Sequence, residues 1–200
     1  MSATVLYMSM SLDGFITGPN DEPGNGLGDD GHRLHDWLST GDTPSGPSGV
    51  PGRPTGPNGA VWDEFMATGA VVTGRRTFDL ANGWAGDHHN GVPIFVLTRQ
   101  EADGEKGHWP LVRYISDVKD AMTRAKSAAG DKDVLVHGAR TAQLALAGGV
   151  LDELQIHLVP VLLGQGRRLF DHLDADHIEL ELTQIIDAPG VTHLRYRVHR

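Results

Sequence analysis

A chain of 200 residues and 21.5 kDa lies near the top of the usual single-domain range of about 50–250 residues, so one domain over 1–200 is expected. Lys+Arg 17 against Asp+Glu 26 leave a formal charge of −9, which repels a phosphate backbone and argues against a nucleic-acid partner. The absence of cysteine excludes disulfides, Cys-ligated zinc, iron–sulfur clusters and thiol catalysis.

Thr4–Ser9 reads as a buried first strand that ends in the turn Ser11-Leu12-Asp13-Gly14. Residues 18–31 are rich in Gly, Pro, Asn and acidic residues, and His32–Leu38 is a short helical patch with Leu34, Trp37 and Leu38 on one side. Between Ser39 and Ala60, 11 of 22 residues are Gly or Pro. This composition predicts a surface loop over 39–60, either a lid or an inert insertion. Val61–Thr68 has helical spacing and leads into a strand at 69–73, a turn at Gly74 and a second helical stretch to Asn82. Pro93–Thr98 and Leu111–Ile115 read as strands, and Ser116–Gly130 as a helix capped by Ser116. Asp133–His137 is another strand, followed by Gly138 and a helix through Ala147.

The last third alternates differently. Leu154, Ile156 and Leu158 alternate with Gln155 and His157, Ile178, Leu180 and Leu182 with Glu179 and Glu181, and Leu194, Tyr196 and Val198 with Arg195 and Arg197. These read as half-exposed antiparallel strands. The fold class expected is α/β: one mixed, mostly parallel sheet flanked by helices, with antiparallel C-terminal strands and ligands beyond the carboxyl ends of its parallel strands.

Gly74-Arg75-Arg76-Thr77 places a glycine at a strand end and two cations at a helix opening, an anion-receptive arrangement. Gly138-Ala139-Arg140-Thr141 repeats it, and Thr98-Arg99 follows a strand in a similar way. Together they favour a phosphorylated nucleotide. The literal dinucleotide spacing at 26–31 follows no strand and carries two aspartates, so it is a poor phosphate loop. The eleven histidines show no zinc-binding spacing, and no metal is expected. Met1–Gly14 lacks a basic leader region, and the longest apolar run, near Val159–Leu163, falls far short of the ~20 residues that cross a bilayer. A cytoplasmic protein with no membrane partner is expected.

The ordered set Ser11-Leu12-Asp13-Gly14-Phe15-Ile16, Gly74-Arg75-Arg76-Thr77-Phe78, Leu97-Thr98-Arg99, His137-Gly138-Ala139 and 151–170 resembles the dihydrofolate-reductase-like family. The closest branch is the reductase domain of the riboflavin-biosynthesis bifunctional deaminase/reductase. The resemblance implies NADPH lying across the strand ends. It assigns the pyrophosphate and 2′-phosphate to Gly74, Arg75, Arg76 and Thr77, the adenosine side to Thr98 and Arg99, and the other side of the pyrophosphate to His137, Gly138, Ala139, Arg140 and Thr141. Ser9 and Ile16 would meet the nicotinamide carboxamide.

The substrate implied is pyrimidine or pterin-like, as in reduction of 5-amino-6-(5-phosphoribosylamino)uracil. Asp13 and then Glu64 are the candidate proton-relaying or substrate-contacting groups, with Arg167 and Arg168 for a substrate phosphate. A dihydrofolate, pterin or small-carbonyl reductase and a non-catalytic NADP(H)-binding protein stay open as alternatives. A homodimer is the expected assembly.

Overall fold

The computed structural model describes residues 2–39, 53–100, 109–173 and 177–199. Its centre is an eight-stranded sheet in the order β5-β4-β3-β6-β1-β7-β10-β9. These strands are β1 (Thr4–Ser11), β3 (Ala70–Gly74), β4 (Ile94–Leu97), β5 (Val112–Ile115), β6 (Val134–His137), β7 (Glu153–Val159), β9 (Leu180–Ala188) and β10 (Val191–Val198). The pairs from β5 across to β7 are parallel, and β10 joins β7 and β9 antiparallel. A separate two-stranded pairing joins β2 (Phe15–Thr17) to β8 (Arg167–Arg168).

The central strands are nearly continuous apolar runs because both faces are covered: Val71, Val72, Val134, Leu135 and Val136 are fully buried. On one face Leu6, Val72, Val136 and Ile156 pack with α3 (Val118–Ala129) and α4 (Ala139–Ala147), which contribute mainly alanines. The opposite face carries Val5, Tyr7, Val71 and Leu135, with Phe65 and Phe78 packed on them. Phe65 comes from α1 (Gly56–Met66) and Phe78 from α2 (Arg75–Leu80). Fully burying a side chain of this size contributes about 1.5–3 kcal/mol. Two 3-10 segments, η1 (Gly31–Ser39) and η2 (Asn82–Gly86), lie on the chain near these helices.

Several local expectations need correction. Helix α1 begins at Gly56, inside the span read as loop, because Pro57 is tolerated in a first helical turn; positions 40–52 of that span lie outside the described residues. The cap of α3 is Asp117, whose carboxylate accepts from the Asp120 N–H at 2.9 Å, not Ser116. The alternation in β7 does not mark a solvent face, since Gln155 and His157 are 1% and 4% exposed. On edge strand β9 the apolar side is open instead, with Leu182 47% and Ile185 59% exposed.

Candidate functional site

Beyond the carboxyl ends of β1, β3 and β6 lies a cleft of about 910 Å³. Strand β3 ends at Gly74 and runs directly into α2, while β6 ends at His137 and turns through Gly138, at φ +89°, into α4. The two openings touch reciprocally. A β-carbon on Gly138 would lie 2.5 Å from Thr77 Oγ1, and one on Gly74 would lie 3.0 Å from Thr141 Oγ1. Glycine is therefore required at 138 both by its positive-φ backbone and by the approach of Thr77.

Every residue anticipated for the cofactor lines this cleft: Ser9, Ile16, Gly74, Arg75, Arg76, Thr77, Thr98, Arg99, His137, Gly138, Ala139, Arg140 and Thr141. Their states differ. The Ser9 hydroxyl accepts from Trp37 Nε1 at 3.0 Å. Arg75 donates from Nε to Asp79 at 2.7 Å and stacks over the Tyr114 ring. Arg76 and Arg167 both clasp the Asp21 carboxylate, at 2.9 and 3.1 Å. Burial would raise the Asp21 pKa, but these guanidinium hydrogen bonds prevail and hold it below the usual carboxylate range. Arg99 and Arg140 form no ion pair with the described residues.

Four side-chain atoms among the described residues are sealed and unpartnered: Thr17 Oγ1, His35 Nδ1, Thr141 Oγ1 and Gln155 Oε1. Three of these residues, Thr17, His35 and Thr141, line the cleft. Buried polar atoms without a partner are uncommon in folded proteins, and each calls for a physical reason.

The anticipated catalytic carboxylates lie elsewhere. Asp13 accepts from Ser11 Oγ at 2.6 Å and from the N–H groups of Leu163 and Gly164 at 3.2 and 2.7 Å, so it ties the β1–β2 turn to the 160s loop. The hydroxyl and backbone donors outweigh its slight desolvation and lower its pKa. Glu64 meets Arg195 at 3.4 Å. Neither carboxylate lines the cleft. Arg167 does, whereas Arg168 lies over the Phe15 ring and faces an adjoining hollow of about 520 Å³ that Arg140 and Arg167 also line.

Three further features of the cleft depend on tertiary structure. Asp21 neutralises two of the cleft's arginines. Four consecutive residues, Asn82 to Ala85, adopt left-handed backbone at φ +48° to +57°, which costs an L-residue roughly 1–2 kcal/mol each and sets Trp84 into the cleft with its ring 4.5 Å from that of His88. Third, the cleft has an aromatic and imidazole wall containing Tyr7, Trp37, Phe65, His88, His137 and His157. Burial pushes the His35 and His137 imidazoles down to about 4 and those of His88 and His157 down as well. Among the described residues no group of three or more His, Asp or Glu side chains is arranged to hold a metal ion.

The family model described as RibD C-terminal domain matches residues 3–194. The chain belongs to the RibD C-terminal domain family. Its fold is that of solved RibD-like proteins. It is similar to a putative riboflavin biosynthesis protein from Shewanella sp. PV-4 (22% identity, 99% of each chain, TM-score 0.71). It is also similar to a pyrimidine reductase-like protein from Corynebacterium diphtheriae (16% identity, 100% of this chain and 92% of that one, TM-score 0.58). A third is the Thermotoga maritima diaminohydroxyphosphoribosylaminopyrimidine deaminase/5-amino-6-(5-phosphoribosylamino)uracil reductase (12% identity, TM-score 0.65), of which this RibD C-terminal domain covers 57% with 99% of its own length. No curated protein matches the chain. Family membership supports a RibD-like reductase. Among the described residues no helix is long and apolar enough to cross a membrane.

Proposed function

We propose that the chain is an NADPH-dependent reductase acting on a pyrimidine or pterin-like substrate, of the kind represented by 5-amino-6-(5-phosphoribosylamino)uracil. The observation that carries this reading is the reciprocal packing of the two glycine turns at the cleft, with the unpartnered Thr141 hydroxyl beside Gly74. That cradle fits a diphosphate: α4 offers first-turn N–H groups that have no intrahelical acceptor, and Thr141 offers a hydroxyl donor. Arg99, with no carboxylate partner among the described residues, is assigned the 2′-phosphate of the adenosine ribose, beside Thr98. Ser9 and Ile16 are assigned the carboxamide.

Bound NADPH would supply the hydride; the residues of the chain supply alignment and a site from which water is displaced. Trp37, Phe65 and Trp84 give the cleft flat apolar walls suited to a planar heterocycle. Arg167, shared by the cleft and the adjoining hollow, and Arg168, which lines that hollow, are assigned the substrate's phosphate. Arg167 would then exchange its contact with Asp21 for that phosphate.

The test is NADPH consumption by the purified protein with 5-amino-6-(5-phosphoribosylamino)uracil, alongside pterins and small carbonyl compounds. Consumption with the uracil is expected. Consumption only with another acceptor would overturn the substrate and keep the reductase. Tight NADPH binding without consumption on any of them would overturn catalysis.

A further inference from the structure

Two histidine pairs built alike run from the wall of the cleft into the protein. In the first, His193 Nε2 lies 2.9 Å from Asn58 Oδ1. The Asn58 amide N–H groups are directed at the carbonyls of Trp37 and Pro189, which only accept, so Oδ1 is the acceptor and His193 carries its proton on Nε2. A neutral His193 then has a lone pair on Nδ1. His157 Nδ1 sits 2.9 Å away and must donate to it. His157 is left with an unprotonated Nε2.

The second pair repeats the logic from other elements. His89 Nε2 approaches both Thr68 Oγ1, at 3.1 Å, and the Thr68 carbonyl, at 3.4 Å. The Thr68 hydroxyl spends its own proton on the Phe65 carbonyl, so both atoms act as acceptors and His89 is protonated on Nε2. Its Nδ1 accepts from His88 Nδ1 at 2.7 Å. His88 too is left with an unprotonated Nε2.

Both terminal rings line the cleft, and neither Nε2 bonds to a described residue or belongs to the sealed, unpartnered atoms. The rings are joined by aromatic contacts: His157 to Tyr7 at 6.2 Å, Tyr7 to Phe65 at 5.9 Å and Phe65 to His88 at 5.6 Å between centroids. The titratable groups acting on His88 are His137 and His89, and those acting on His157 are His193, His35 and His137. No carboxylate is among them, so nothing favours an imidazolium at either position.

We infer that His88 and His157 each present a hydrogen-bond acceptor to the cleft, and that these acceptors select a planar heterocycle by its own N–H or O–H donors. The outer histidines, His89 and His193, are positioning residues that fix which nitrogen faces the ligand. Such acceptors reject an anionic group and a ring whose nitrogens are alkylated, because an unprotonated nitrogen offers either of them no proton. The choice of heterocycle rests on the reductase reading above; the acceptor character rests on the hydrogen-bond geometry and on the burial that keeps these rings neutral.

Two measurements test it. Histidine ¹⁵N chemical shifts of the wild-type protein at neutral pH, assigned with single-histidine variants, report the tautomers directly. Nδ1-protonated rings are expected at 88 and 157 and Nε2-protonated rings at 89 and 193. The opposite tautomer at 88 or 157, read in the wild-type protein, overturns the inference.

The second measurement titrates lumazine and 1,3-dimethyllumazine, which lacks the imide donors, into the protein with and without saturating NADPH. Lumazine is expected to bind at least about tenfold more tightly, equivalent to about 1.4 kcal/mol, and this preference should collapse in His157→Phe and His88→Phe. Equal binding of the two probes, no binding of lumazine, or a preference that survives both variants overturns the inference. NADPH binding, followed separately by nicotinamide fluorescence, reports on the reductase reading: its absence beside selective lumazine binding would sink that reading and leave the acceptor histidines standing.

Discussion

Thr77 and Gly138 stand so close that a single added methyl group at position 138 would come within 2.5 Å of the Thr77 hydroxyl oxygen. They belong to helix openings 61 residues apart in sequence, brought together because β3 and β6 are parallel neighbours with Thr73 opposite His137. Each strand releases its chain at the same edge of the sheet, and the openings meet over the cleft.

Gly138→Ala should therefore destabilise the protein, through a positive-φ extended backbone that is essentially confined to glycine, costing about 1–3 kcal/mol, and through the clash with Thr77. Adding Thr77→Ala should recover the steric part and leave the backbone part. Thermal or denaturant unfolding of the two variants measures the split; a Gly138→Ala protein as stable as the wild type would contradict this packing.

Arg99→Glu should raise the KM for NADPH at least tenfold more than the KM for NADH. The comparison isolates the 2′-phosphate, the group that distinguishes the two coenzymes. Equal effects on both would place that phosphate elsewhere.

Acid should unfold this protein early. An imidazole held near 4 in the folded state and about 6.5 when unfolded is neutral in both states above the higher value. Between the two values the proton is taken up by the unfolded chain alone. Stability is then full above about pH 6.5 and declines as the pH falls toward 4, by about 1.4 kcal/mol per pH unit for each such ring at the steepest. His35, His137 and His193 all sit at about 4, depressed by burial. Urea midpoints measured between pH 7 and 4.5 should fall steeply, and His193→Gln should flatten the profile. A midpoint independent of pH over that range would contradict neutral burial.

Asp13→Asn should lower the melting temperature while leaving the NADPH KM within about twofold, because this carboxylate bridges backbone N–H groups of Leu163 and Gly164. A large fall in kcat with an unchanged melting temperature would return Asp13 to the reacting groups.

Much of this architecture was legible in the residue pattern. The valine-rich runs at 71–73 and 134–136 announce strands buried on both sides, and the glycine turns at 74 and 138 announce the openings that follow them. What the pattern concealed was tertiary. Gln155 and His157 occupy polar positions of an alternating strand, yet η1 and α1 cover that face, and the hydrogen bonds that make a buried histidine tolerable come from Asn58 and His193, far away in sequence. Asp21 was equally hidden, because only the folded loop brings it between Arg76 and Arg167. Asp13 was legible as a turn carboxylate, but its donors were not, because the N–H groups of Leu163 and Gly164 lie 150 and 151 residues away in sequence.

The most direct test is a crystal structure of the protein soaked with NADPH. The account predicts the diphosphate against the first turn of α4, beside Thr141 and Thr77, with the nicotinamide directed toward Ser9 and Ile16. Density for the coenzyme away from the meeting point of the two glycine turns, or none at saturating concentration, would contradict it.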